Sequence, residues 1–280
     1  MTLHTERRNC NYTFANLVGW QFLFHTEVSV LADAVVLRFM FRDQRAYMVC
    51  TPDEIPSRLI DALLEENHGS LTLMGLEDSQ TEALGTMPGA FTIEVTPVRN
   101  QYDYIYRRED LATLRGHRFN GKRNHINRFY KEHPDFEYRP LTPELFDECR
   151  LLRERWVEKR EVNDMLTAEQ HVMENVFIHW QQLGMIGGSL FVDGRMVAFT
   201  YGAAVTTDTL DVCMEKADRH TEGAFSAINQ QFAQHIPEQF VYMNREEDMG
   251  LPGLRKAKLS YHPEILLTYN VVQIKQNDRR

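Results

Sequence analysis

One stretch constrains this chain more than any other. Asp208 to Lys216 alternates as a strand, a charged turn from Ala217 to Glu222 follows, and Gly223-Ala224 opens an amphipathic helix running to Gln231. A strand, a glycine turn and a helix start bring free backbone N–H groups and the positive end of a helix dipole to one point, which suits a phosphate. A second strand, Gln239 to Asn244, comes next. It leads into Arg245-Glu-Glu-Asp-Met-Gly-Leu-Pro-Gly-Leu-Arg-Lys-Ala-Lys-Leu-Ser-Tyr-His-Pro-Glu264. Acyl transfer from a phosphate-bearing carrier is a chemistry that would use such a site.

The remaining sequence sets bounds on that reading. With 280 residues, 43% hydrophobic and 25% charged, the chain can bury a sizeable core and is not disordered. A net charge of −9 argues against wholesale coating of nucleic acid but leaves room for a local basic patch. Cys10, Cys50, Cys149 and Cys213 lie far apart, so a reduced, cytoplasmic setting is the expectation. No apolar run approaches the roughly 18 residues of a membrane span, and the first residues lack the apolar core of a signal peptide.

Periodicity predicts an α+β chain of two similar halves, 1–139 and 140–280, each a curved mixed sheet flanked by helices. In the first, a hairpin joins 34–41 to 45–50, a helix covers 56–67, strands cover 70–75 and 91–95, and a short helix lies at 81–86. In the second, helices cover 143–161 and 171–183, and a hairpin turns at Asp193-Gly194, a strong signal for a tight β-turn. The strand–helix–strand unit described above and a terminal strand, 265–274, complete it.

Four constellations could carry chemistry. Arg219 and Gly223-Ala224 approximate a pyrophosphate loop with the glycine one place out of register, and a tight packing turn explains Gly223 equally well. Glu215, placed by alternation on one face with Asp211 and Cys213, could take a proton from an attacking amine, or could simply pair with Lys216 or Arg219. Arg245, Arg255, Lys256 and Lys258 lie near Glu246, Glu247 and Asp248, so ion pairs compete with anion binding there. Arg115 to Lys131 collects Arg118, Lys122, Arg123 and Arg128 with no acid and with Phe119, Phe129 and Tyr130 interleaved. That pattern suits a phosphate-rich ligand, or a basic helix packing its aromatics inward. No zinc, P-loop or dinucleotide motif is present, and His117, His125 and His133, eight apart, do not share a helical face, so no metal site is expected.

The segments Asp103 to Phe129, Glu215 to Arg219, Ala227 to Gln230 and Asn244 to Pro263 together resemble soluble bacterial relatives of the C-terminal catalytic domain of phosphatidylglycerol lysyltransferases. The likeness is looser toward Fem-type peptidoglycan aminoacyltransferases. The resemblance implies two tandem GNAT-like domains with the acyl-transfer site in the second. It further implies that Lys258 neutralises charge during transfer from aminoacyl-tRNA, with Tyr261 nearby. Ala257 stands where those relatives carry Phe, and their membrane-embedded flippase part has no counterpart here.

The expectation is an aminoacyltransferase moving an aminoacyl group from aminoacyl-tRNA, with no tightly bound cofactor, to an amine or hydroxyl of a lipid or small molecule. Glu215, Lys258 and Tyr261 would be catalytic. Lys122, Arg123, Arg128, Arg219, Gly223, Arg245 and Arg255 would hold the donor. An acetyl-CoA-dependent N-acetyltransferase and a non-catalytic RNA-binding module stay open as alternatives.

Overall fold

The structure is a computed structural model that describes residues 7–32, 34–41, 43–51, 54–87, 91–157 and 164–277. Its architecture is α+β, two mixed sheets flanked by helices, as the periodicity predicts. The first sheet has the order Glu27–Leu31, Ala34–Phe41, Gln44–Cys50, Ser70–Leu76, Asn270–Gln276, Phe91–Pro97. The helix Ser57–Glu66 covers one side of it. Leu59, Ile60, Leu63 and Leu64 recur at helical spacing and are buried against Val36, Tyr47, Leu73 and Ile274. Each such aliphatic side chain contributes about 1.5–3 kcal/mol of burial free energy.

The second sheet has the order Ile265–Leu267, Asp103–Arg107, Tyr242–Asn244, Thr209–Ala217, Arg195–Ala204, Ile186–Val192, Glu137–Pro140. Helices Phe146–Val157 and Asp164–Ile178 pack on one face, around Cys149, Val176, Phe199 and Tyr201. Helices Arg108–Thr113, Asn120–Glu132 and Ala224–His235 pack on the other. The hairpin turns at Asp193 (φ 51°) and Gly194 (φ 73°), the two left-handed residues a type I′ turn requires.

Several sequence-based boundaries move. The single terminal strand expected over 265–274 is two strands in different sheets, because the chain crosses from one to the other at Thr268-Tyr269. The sheets do not divide at residue 140 either. Asp103–Arg107 and the basic helix Asn120–Glu132 belong with the second sheet, and Asn270–Gln276 lies inside the first. The helix expected over 171–183 spans Asp164–Ile178, and the one expected over 143–161 is a 3-10 turn followed by Phe146–Val157, with 158–161 outside the described residues. An exposed edge strand, Glu27–Leu31, went unanticipated.

Candidate active site

The site originates where two parallel strands part. Thr209–Ala217 pairs with Tyr242–Asn244 only as far as Asp211 opposite Asn244. Beyond that point Thr209–Ala217 continues without a strand partner on that side among the described residues, and the chain after Asn244 turns away. Glu246 takes the left-handed conformation (φ 56°). Glu215 from the continuing strand and Arg245 from the departing chain meet at this divergence.

A β-bulge between Asp211 and Met214 decides which side chains face which way. The bulge presses the backbone so close to Gly202 that a Cβ there would lie 2.0 Å from the Asp211 carbonyl oxygen. Across the ladder Asp211 stands opposite Ala203, Met214 opposite Tyr201 and Glu215 opposite Thr200. Opposed residues share a face, so Asp211 and Met214 lie on one face and Glu215 on the other. Simple alternation had put Asp211 and Glu215 together; the extra residue of the bulge corrects that.

On its own face Glu215 is held at both oxygens. Arg245 Nη2 donates to Oε1 at 2.9 Å and Asn229 Nδ2 to Oε2 at 3.4 Å, and both members of the ion pair are largely buried. The Arg245 guanidinium lies 5.1 Å from the centre of the Tyr261 ring, and Lys122 Nζ lies 4.0 Å from the same centre. Tyr261 donates to Ser226 Oγ at 3.2 Å. Burial raises the Tyr261 phenol above its ordinary pKa, so it keeps its proton at neutral pH. Burial, reinforced by the neighbouring charge of Arg245, draws the Lys122 ammonium down to about 8. A carboxylate, a phenol and a lysine poised near neutrality therefore converge: of the residues singled out from the sequence, the structure brings together Glu215, Arg245, Lys122 and Tyr261.

Lys258 sits behind this cluster. Its ammonium donates to the backbone carbonyls of Arg245, Glu246 (3.0 Å) and Glu247 (2.5 Å), which occupies all three protons. The direct contact with substrate expected of Lys258 is not available in this arrangement; the side chain braces the 245–247 turn instead. Arg255 likewise clamps Asp248 through two hydrogen bonds, at 2.7 and 2.9 Å, and reaches Asn100 at 2.8 Å. Despite burial, hydrogen bonds from Arg255 and Tyr104 hold Asp248 well below the usual carboxylate range.

The basic run is mostly committed to internal partners. Arg123 donates to the carbonyls of Leu114 and Gly116 and to Asn120, Arg118 pairs with Asp110 at 2.7 Å, and Arg128 pairs with Glu132 and Glu222. Arg219 is exposed beside Trp156. Gly223 (φ 83°) starts the helix Ala224–His235, yet a Cβ there would lie 2.7 Å from the His125 carbonyl and 2.9 Å from Phe129 Cβ. That corner is filled by the helix Asn120–Glu132, so the packing reading of Gly223 applies.

Sequence reasoning missed Asn229 and Ser226. Asn229 is buried within the stripe of Ala227, Ile228, Phe232 and Ala233; a lone amide on an apolar helix face was the available signal.

Residues 4–272 match the family model for phosphatidylglycerol lysyltransferase, C-terminal. The chain belongs to this family. The family model carries the name of a lysyl-transferring enzyme. A conserved protein of unknown function from Bacteroides thetaiotaomicron is 39% identical, with 97% of this chain and 93% of that one covered and a TM-score of 0.88. The C-terminal domain of a putative lysylphosphatidylglycerol synthetase from Agrobacterium fabrum shares the fold at 13% identity, TM-score 0.64, over 98% and 89% of the two chains. FemX does so at 8% identity, TM-score 0.58, over 92% and 90%. No curated protein matches significantly. Among the described residues no helix is long and apolar enough to cross a membrane.

Proposed function

We propose that this chain moves an aminoacyl group from the 3′ ester of an aminoacyl-tRNA to an amine or hydroxyl acceptor, at the Glu215–Arg245–Lys122–Tyr261 cluster. The observation that carries the reading is the convergence of these four side chains at the point where the parallel strands part.

The acceptor nitrogen or oxygen attacks the ester carbonyl carbon and gives its proton to Glu215, whose position is fixed by Arg245 and Asn229. Negative charge developing on the carbonyl oxygen is offset by Lys122 and Arg245. The bond to the ribose oxygen then breaks, and Tyr261 supplies the proton that oxygen needs. Lys258 acts as a positioning residue by holding the turn that presents Arg245. The filled corner at Gly223 supports tRNA over acetyl-CoA as the donor.

The test is incubation of the protein with a mixture of charged tRNAs, each bearing a labelled amino acid, together with lipid and small-molecule extracts. Label is expected to leave tRNA for an acceptor, and Lys122→Met and Tyr261→Phe should each slow transfer about 100-fold or more. Labelled acetyl-CoA consumed in place of any tRNA would reverse the choice of donor. Salt-sensitive RNA binding with no transfer would leave a binding module.

A further inference from the structure

The opposite face of the second sheet carries a separate group of side chains that the transfer chemistry does not use. Asp211, Cys213 and Glu246 each present a ligand atom, and these atoms lie within 4.8 Å of one another. Asp211 is fully buried. Its Oδ2 accepts from Thr13 Oγ1 at 2.7 Å and from Asn16 Nδ2 at 3.2 Å, whereas its Oδ1 has no hydrogen-bond partner among the described residues. The same Asn16 amide donates to Glu246 Oε1 at 3.0 Å. One amide therefore pins an oxygen of each carboxylate.

A second buried orphan lies in the core against which Cys213 packs. The Tyr201 hydroxyl is fully buried and has no partner among the described residues. Tyr201 lies two places along its strand from Ala203, the residue opposite Asp211, and is close enough to Cys213 and Glu246 for their charges to act on it. Asp103 and Glu247 add their charges to Asp211, and Lys258 already gives its protons to three carbonyls. The charge of Lys258 reaches Glu246, but no cationic side chain donates to Asp211 among the described residues, and its orphaned Oδ1 is costly unless the carboxyl is protonated or coordinates a cation.

We propose that Asp211, Cys213 and Glu246 form a binding site for a divalent metal ion of zinc-like softness. The thiol decides the class of cation: an organic ammonium gains nothing from sulfur, and magnesium or calcium prefers oxygen alone, whereas zinc accepts one sulfur and two carboxylate oxygens. On binding, the metal displaces the protons that these three groups carry, which leave to solvent, so that a thiolate and two carboxylates remain as ligands. Asn16 orients the carboxylates from behind, as outer partners do in metal sites. The left-handed Glu246 turns its side chain to this face while Arg245 serves the other. No motif advertises such a site, because its ligands come from positions 211, 213 and 246 and its orienting amide from 16.

Titration of the chelator-stripped full chain with zinc, read by metal analysis after dialysis and by thermal unfolding, tests the proposal without any assay of transfer. One bound zinc per chain and a raised Tm are expected. Cys213→Ser and Asp211→Asn, each checked for native circular dichroism, should lose the bound zinc, and Asn16→Ala should weaken it about 10–100-fold. Cobalt(II) should give a sulfur charge-transfer band that Cys213→Ser abolishes. Zinc bound equally by the wild-type and Cys213→Ser proteins would overturn the proposal. So would indifference to zinc and cobalt with a Tm that rises only on adding an organic ammonium.

Discussion

The Arg245 guanidinium meets the Glu215 carboxylate, 2.9 Å away, where two parallel strands part. Both side chains are largely out of water, so removing one charge strands the other. Glu215→Gln and Arg245→Met should each cost about 3–5 kcal/mol in denaturant unfolding. The double variant should recover part of that loss, and additive losses would show that the two charges are not coupled.

The role of Lys258 separates two classes of effect. Lys258→Ala takes a donor from the carbonyls of Arg245, Glu246 and Glu247, and only Glu246 keeps another, the Tyr104 N–H at 3.2 Å, among the described residues. A loss of about 1–3 kcal/mol or more is expected, with hydrogen exchange accelerating first in the 245–247 turn. A side chain serving only the reaction would leave both measurements unchanged.

Gly223→Ala places a methyl group against the backbone of the neighbouring helix and forces a left-handed residue to carry a Cβ. The conformation alone costs about 1–2 kcal/mol, and the contacts at 2.7 and 2.9 Å add to it. The midpoint of chemical unfolding should fall accordingly. Gly121→Ala, where a Cβ meets nothing within 4 Å, is the control and should not destabilise the fold.

Asp103 gives the protein a pH dependence. Burial raises its carboxyl to about 6, against about 3.9 in an unfolded chain. The folded state therefore favours the protonated form. The resulting stability is complete below about pH 4 and is lost as pH rises through about 6, a change of roughly 3 kcal/mol. Asp103→Asn keeps an acceptor for the Cys10 N–H and Asn244 amide, which both donate to one Asp103 oxygen. In chelator-treated protein, this variant should flatten the loss between pH 4 and 8 and be the more stable form at pH 8. An unchanged slope would place the titration elsewhere.

Much of this was legible in the residues. The strand before Gly223 and the helix after it follow from alternation and a single glycine, and the Asp193-Gly194 turn follows from its need for two left-handed residues. The sequence singles out Glu215, Arg245, Lys122 and Tyr261 one by one, in three separate segments, but does not show that they meet. What stayed hidden depended on partners distant in sequence. Alternation reports which face a residue takes but not which sheet receives the strand, so Ile265–Leu267 and Asn270–Gln276 read as one. The bulge that turns Glu215 away from Asp211 leaves no mark at Val212-Cys213; the glycine that admits it, Gly202, lies on the adjacent strand. The apparent excess of cations around Arg123 is answered by Asp110, Glu222 and main-chain carbonyls, which a local count cannot see.

The strand Asn270–Gln276 hydrogen-bonds on one side to Ser70–Leu76 and on the other to Phe91–Pro97. On the ribosome, those two earlier strands emerge long before the segment that joins them. The amino-terminal sheet thus remains an unfinished template until translation has passed residue 276, and its exposed edges must be kept from foreign pairing for that whole interval.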